Sequence, residues 1–230
     1  ARLPSDNPLG WVLHHEADYE IQPCPVEAYS RADIDTPADL LMLPGHPGLG
    51  PFLQAFLAQA PPDQLERVGA IRKLLSTPAS TLTLIGRASP HVQLTLQDQT
   101  QIWVRAFIEE RGMIASQRLA RGEVRSLVGA MIEMSGANGF VQKLVQLCDG
   151  VLWDTRVWMG HLGGWPSAAD RFAADLGWTD QVNDPHLRQL SQAIAAAPIP
   201  IVAGGYGVVA GGLYALLETM ATGGNYQPSK

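Results

Sequence analysis

Two hydrophobic rhythms divide the chain. Short apolar runs at 81–85, 102–107, 151–153 and 198–203 read as buried strands. Longer stretches between them, at 90–97, 123–134, 138–148, 167–177 and 184–197, carry apolar residues at helical spacing. After the last run a glycine cluster leads into a final apolar helical segment that ends near Met220. Strand and helix thus alternate from residue 81 onward. That order predicts an α/β fold, a mostly parallel sheet with helices on both faces in a Rossmann-like three-layer arrangement.

Upstream the pattern is weaker. Leu9, Val12 and Leu13 give a short helical face ending near Ala17, and 19–22 alternates like a strand stopped by Pro23 and Pro25. Thr36 suits a helix N-cap, Pro37 the first helical position, and Asp39 the positive end of the helix dipole. Helices are expected at 49–59 and 62–75, beyond a Pro-Gly-rich loop at 44–48. This loop is the predicted boundary. Residues 1–43 form a terminal unit or N-terminal extension, 44–222 the α/β domain, and 223–230 a loose tail.

Composition narrows the partners. With 46% hydrophobic and 17% charged residues and a net charge of −6, the chain is an ordinary globular protein without a basic face for nucleic acid. It has no apolar run long enough to predict a membrane span. Its two cysteines, Cys24 and Cys148, make no CxxC pair and no disulfide framework. With no signal-peptide pattern, a reducing, cytoplasmic location is expected. The opening Ala-Arg-Leu-Pro, without Met, suggests a processed chain, a trimmed one, or the end of something longer.

In parallel α/β sheets ligands gather outside the carboxyl ends of the strands. The polar clusters of this chain fall there: Arg87-Ala88-Ser89, Glu109-Glu110-Arg111, Asp154-Thr155-Arg156 and Gly204-Gly205-Tyr206-Gly207. Glu110, Asp154 and His161 are the candidate acid–base groups. Arg87, Ser89, Arg111, Arg121, Arg156, Arg171, Gly205 and Gly207 are the candidate ligand contacts, since guanidinium forks read phosphate or carboxylate and glycine turns admit an anion. The expected partner is a small anionic or phosphorylated molecule. The same charges could instead be ion pairs that hold strand-end loops together. Gly205-x-Gly207-x-x-Ala210 fits a dinucleotide pattern, but no strand with a ribose-binding acid follows it. Cys148 reads as a buried thiol, and His14-His15-Glu16 as surface polarity.

The segment Asp33-Ile34-Asp35-Thr36-Pro37-Ala38-Asp39-Leu40 resembles the stretch that closes the catalytic domain of nucleotidyltransferases such as the molybdopterin and 2-phospholactate guanylyltransferases. The resemblance implies that Asp33 and Asp35 are magnesium ligands near a nucleotide's phosphates. It also implies a nucleotidyltransferase-like enzyme whose end is joined to the α/β domain. It is confined to the first 43 residues, where the family's Gly-rich nucleotide loop has no counterpart. An expectation of a different class stands beside it: a non-catalytic regulatory domain whose tryptophans and glycine turns serve packing in a homo-oligomer.

Overall fold

The computed structural model describes residues 9–22, 24–25 and 27–222, so the predicted tail at 223–230 and Pro23 lie outside it. Five helices precede the sheet: α1 (Leu9–Ala17), α2 (Ala28–Arg31), α3 (Pro37–Leu41), α4 (Pro51–Leu57) and α5 (Pro62–Leu75). Then come β1 (Thr81–Gly86), α6 (Pro90–Gln99), β2 (Trp103–Ile108), α7 (Leu127–Leu147) and β3 (Gly150–Asp154). The chain closes with α8 (Arg156–His161), α9 (Ala168–Asp175), α10 (Pro185–Ala195), β4 (Ile201–Gly204) and α11 (Gly211–Thr222).

All four strands run parallel in the order β2-β1-β3-β4. Alternate side chains feed two cores, as strand geometry requires. Leu82, Leu84, Leu152 and Val202 pack toward α5 and α11, among Ile71, Leu75, Leu213 and Leu216. Ile85, Val151, Trp153 and Ile201 pack toward α7 and α10, among Ile132, Val141, Leu187 and Leu190. The three-layer α/β architecture is therefore realised.

Three local expectations change. Residues 19–22 form no strand: Asp18 turns the backbone at φ 57°, and the Tyr19 N–H closes back on the Leu13 carbonyl at 2.9 Å. A four-residue run held by that turn has no neighbouring strand to join. The helices expected at 123–134 and 138–148 are one element, α7, beginning at Leu127 and kinked where Gly136 takes φ 71°, ψ 163°. Its start is displaced because Glu109 and Ser126 cap it there. Finally, residues 28–42 pack into the first core: Ala28, Ala38, Leu41 and Met42 are buried beside Val208, Val209 and Leu213.

Among the described residues no helix is long and apolar enough to cross a membrane.

Candidate functional site

The chain passes from β1 outward to β2, then crosses back over β1 to β3 and on to β4. The direction of winding therefore reverses between β1 and β3, where the carboxyl ends of a doubly wound sheet splay and leave a crevice. Arg87 follows β1 at that point, and Asp154 ends β3.

These two residues are locked together. Asp154 is fully buried and takes Arg87 Nε at 2.5 Å and Arg87 Nη2 at 3.2 Å. Its carboxylate also accepts the Arg87 main-chain N–H at 3.4 Å and that of Arg156 at 3.2 Å. Gly86 makes the approach possible: at φ +111°, a Cβ there would stand 2.6 Å from the Asp154 Cβ. With its lone pairs occupied by donors, Asp154 serves as a clamp for the guanidinium rather than as a free base. The guanidinium retains Nη1 and one Nη2 hydrogen. It also lies 5.5 Å from the centroid of the exposed Tyr206 ring, a cation–π distance. Ser89 is the N-cap residue of α6, and its hydroxyl makes no capping bond. Arg87 and Asp154 thus meet, with Ser89 two residues farther along the chain and with Tyr206 as a wall that the sequence pattern did not single out.

Glu110 and His161 meet elsewhere, over the start of α7. Glu109, absent from the sequence-based candidates, accepts Ser126 Oγ at 2.5 Å and the Leu127 N–H at 2.6 Å, and so caps α7. Glu110 Oε1 forms an ion pair with Arg118 Nη2 at 2.8 Å and accepts the Arg125 N–H at 3.1 Å, while its Oε2 is buried without a partner. His161 Nδ1 accepts the Ser126 N–H at 3.1 Å, which leaves the ring proton on Nε2. Nε2 lies 3.2 Å from Glu133 Oε1, but no hydrogen bond is aligned along it, so this is charge proximity only. Glu110 and His161 contact adjacent residues of one loop, and neither contacts Asp154. Arg121 forms an exposed pair with Glu123 at 2.7 Å, and Arg111 is exposed.

Arg156 turns away from the strand ends. It is 3% exposed and grips Asp175 through two hydrogen bonds, 3.0 and 2.6 Å long. Burial pushes the Asp175 carboxyl up to about 6, with Arg156 pulling in the opposite direction. Arg171 lies 5.2 Å over the Trp165 ring and donates to the Pro166 carbonyl at 2.5 Å; burial lowers its pKa. These two arginines hold α8 and α9 in place.

The glycine cluster is filled by protein. A Cβ on Gly205 would stand 2.9 Å from Thr36 Cγ2, and one on Gly207 would overlap Asp39 Oδ1. The N–H groups of Asp35 and Thr36 and the Thr36 hydroxyl all donate to Asp39 Oδ2, at 3.0, 2.7 and 2.9 Å. Burial raises the Asp39 pKa, and its Oδ1 has no partner. The Thr36-x-x-Asp39 spacing of a capping box could have revealed this lock. Asp33 and Asp35 are exposed, and among the described residues no three His, Cys, Asp or Glu side chains gather as a metal would require. The described residues thus offer magnesium no ready donor set.

A groove of about 600 Å³ opens beside Asp35 and Thr36, with Leu40, Phe56, Phe172 and Trp178 in its walls. Neither Arg87 nor Asp154 lines it.

Comparison with protein-family models, curated proteins and solved structures finds no match to this chain.

Proposed function

We propose that the chain binds a small anionic or phosphorylated ligand in the crevice between β1 and β3, with Arg87 as its reader. The observation that carries this reading is the Arg87–Asp154 clamp at the winding reversal. A buried carboxylate fixes the guanidinium before any ligand arrives, so little side-chain entropy remains to be lost on binding. The free N–H groups of Arg87, the Ser89 hydroxyl and the His91 N–H in the first turn of α6, where Pro90 has none and Val92 already donates to the Ser89 carbonyl, supply donors to one anion. Tyr206 offers a face for a planar group carried by that anion. Phosphate is the ligand class favoured by the resemblance of residues 30–43 to nucleotidyltransferases, with Asp33 and Asp35 on an exposed approach. A nucleotidyltransferase-like reaction would need metal donors beyond these two.

Isothermal titration with inorganic phosphate, pyrophosphate, AMP and ADP tests the reading, together with backbone NMR shifts. Binding should move the amide signals of residues 87–91 and 206. Arg87→Lys keeps a charge beside Asp154 but loses the fork; it should weaken binding at least tenfold, about 1.4 kcal/mol. Tyr206→Ala should weaken AMP more than phosphate. Saturable binding that leaves residues 87–91 unmoved, or no binding of any of the four at about millimolar concentration, would sink the reading.

A further inference from the structure

The sheet has an open side at β2, and the helix beside it carries an exposed apolar flank in addition to its core face. The Trp103 N–H donates to the Ser80 carbonyl at 2.7 Å and the Glu109 N–H to the Gly86 carbonyl at 3.0 Å, so odd-numbered β2 residues turn their backbone toward β1. Strand alternation then points the N–H and C=O groups of Val104, Ala106 and Ile108 away from the sheet. Among the described residues no strand pairs with them, since β2 is terminal in the sheet. An unpaired edge of this kind is a template for another strand.

The start of α7 extends that edge. Val128 and Ile132 face the core, and Gly129 and Glu133 meet His161 on the flank toward β3. At 100° per residue, Leu127, Met131 and Met134 lie on the opposite flank, which looks out past β2. They are 65%, 42% and 88% exposed. A helix whose apolar stripe runs from its core face onto one flank ordinarily has a neighbour on that flank. Trp103 is 69% exposed, Ile108 38% and Ile114 55%. Trp103 shares the α7 side of the sheet with Phe107, and Ile108 shares the other side with Val104, so an edge-to-edge contact would cover both. The five exposed residues of β2 and α7 present on the order of 600 Å², against the roughly 800 Å² per partner of a standard interface, and the backbone edge of β2 adds to it.

We propose that this face pairs with the same face of a second copy of the chain. The two β2 strands run antiparallel about a twofold axis normal to the sheet, joining two four-stranded sheets into one. Such an axis keeps each sheet face on its own side, so opposed residues must share parity. Centring on Arg105 would oppose two like charges in a close pair, which is destabilising. Centring on Ala106 opposes two methyl groups instead and sets Val104 against Ile108 of the second copy. The outward N–H and C=O groups then close about six hydrogen bonds. Both α7 helices lie on one face, and their Leu-Met-Met flanks approach across the axis. Methionine's flexible thioether suits such a self-fitting contact.

Sedimentation velocity on the 230-residue chain from about 1 to 100 μM tests the proposal. A dimer mass is expected. Ala106→Pro removes an outward N–H that β1 does not use, so the monomer should retain its fold while dimerisation weakens at least tenfold. Met134→Glu places a charge on the flank and should do the same; it decides alone if the proline variant fails to fold. A monomer throughout the range overturns the proposal. So does a dimer of unchanged affinity in the folded variants, which would mean that the copies, or another partner, meet elsewhere.

Discussion

Arg156→Met separates a structural ion pair from a ligand contact. In the native chain Asp175 is buried, and among the described residues Arg156 is the one cation hydrogen-bonded to it. Its carboxyl titrates near 6 in the folded state, against about 3.9 in an unfolded chain. The folded state therefore takes up the proton first, and the contribution of this group to stability grows as the pH falls from about 6 toward 4. Methionine fills similar volume but carries no charge, so burial of the carboxylate goes unopposed and its folded pKa climbs above 6. Each pH unit by which the window extends upward costs about 1.4 kcal/mol at alkaline pH. Between pH 6 and 8 that amounts to as much as about 3 kcal/mol, near the 3–5 kcal/mol found when one partner of a buried pair is removed. Below pH 5 the variant carries a neutral Asp175 and loses only hydrogen bonds, about 1–2 kcal/mol. Urea unfolding at pH 5, 6, 7 and 8 measures the difference between the two chains. A loss independent of pH, or under about 1 kcal/mol at pH 8, would refute the pairing. Phosphate or AMP affinity, measured at pH 5 where the variant is most stable, should be unchanged.

Other perturbations follow from the packing. Gly207→Ala drives a methyl into the Asp39 carboxylate and should cost about 2 kcal/mol or more, read as a melting shift of roughly 4–8 °C. In the native chain the exposed Cys24 should react with a thiol reagent within minutes, while Cys148 waits on unfolding, since burial both hides its thiol and raises its pKa. Equal rates for the two thiols would show that the start of β3 opens freely.

The elements were legible because each strand from β1 onward is a compact apolar run and each helix has its own spacing or cap. Ser167 and Asp184 cap α9 and α10 where helices are expected, whereas the Ser126 cap starts α7 at Leu127 rather than at 123. The strand order was not legible, because alternation fixes parallel pairing but not which neighbour each strand chooses. The partners of the charges were hidden for the same reason. Arg156 lies two residues from Asp154 yet closes on Asp175, and Glu110 is neutralised by Arg118 and the Arg125 N–H. The glycines between 204 and 212 were read locally as an anion turn, whereas their absent side chains make room for residues 31–42, far off in sequence. Local pattern finds where charge accumulates; only topology decides which charge is already spent. With Arg121, Arg156 and Arg171 committed to protein partners and Arg111 exposed beyond the end of β2, Arg87 is the candidate cation that stands at the winding reversal. Its clamp uses only part of the guanidinium's donor set, and it stands where the winding reverses. A crevice with one pre-aimed cation and one aromatic wall is chemically suited to recognise an anion. Glu110 and His161, the expected acid–base groups, contact neither Arg87 nor Asp154 among the described residues, so the proposed anion recognition would require neither of them.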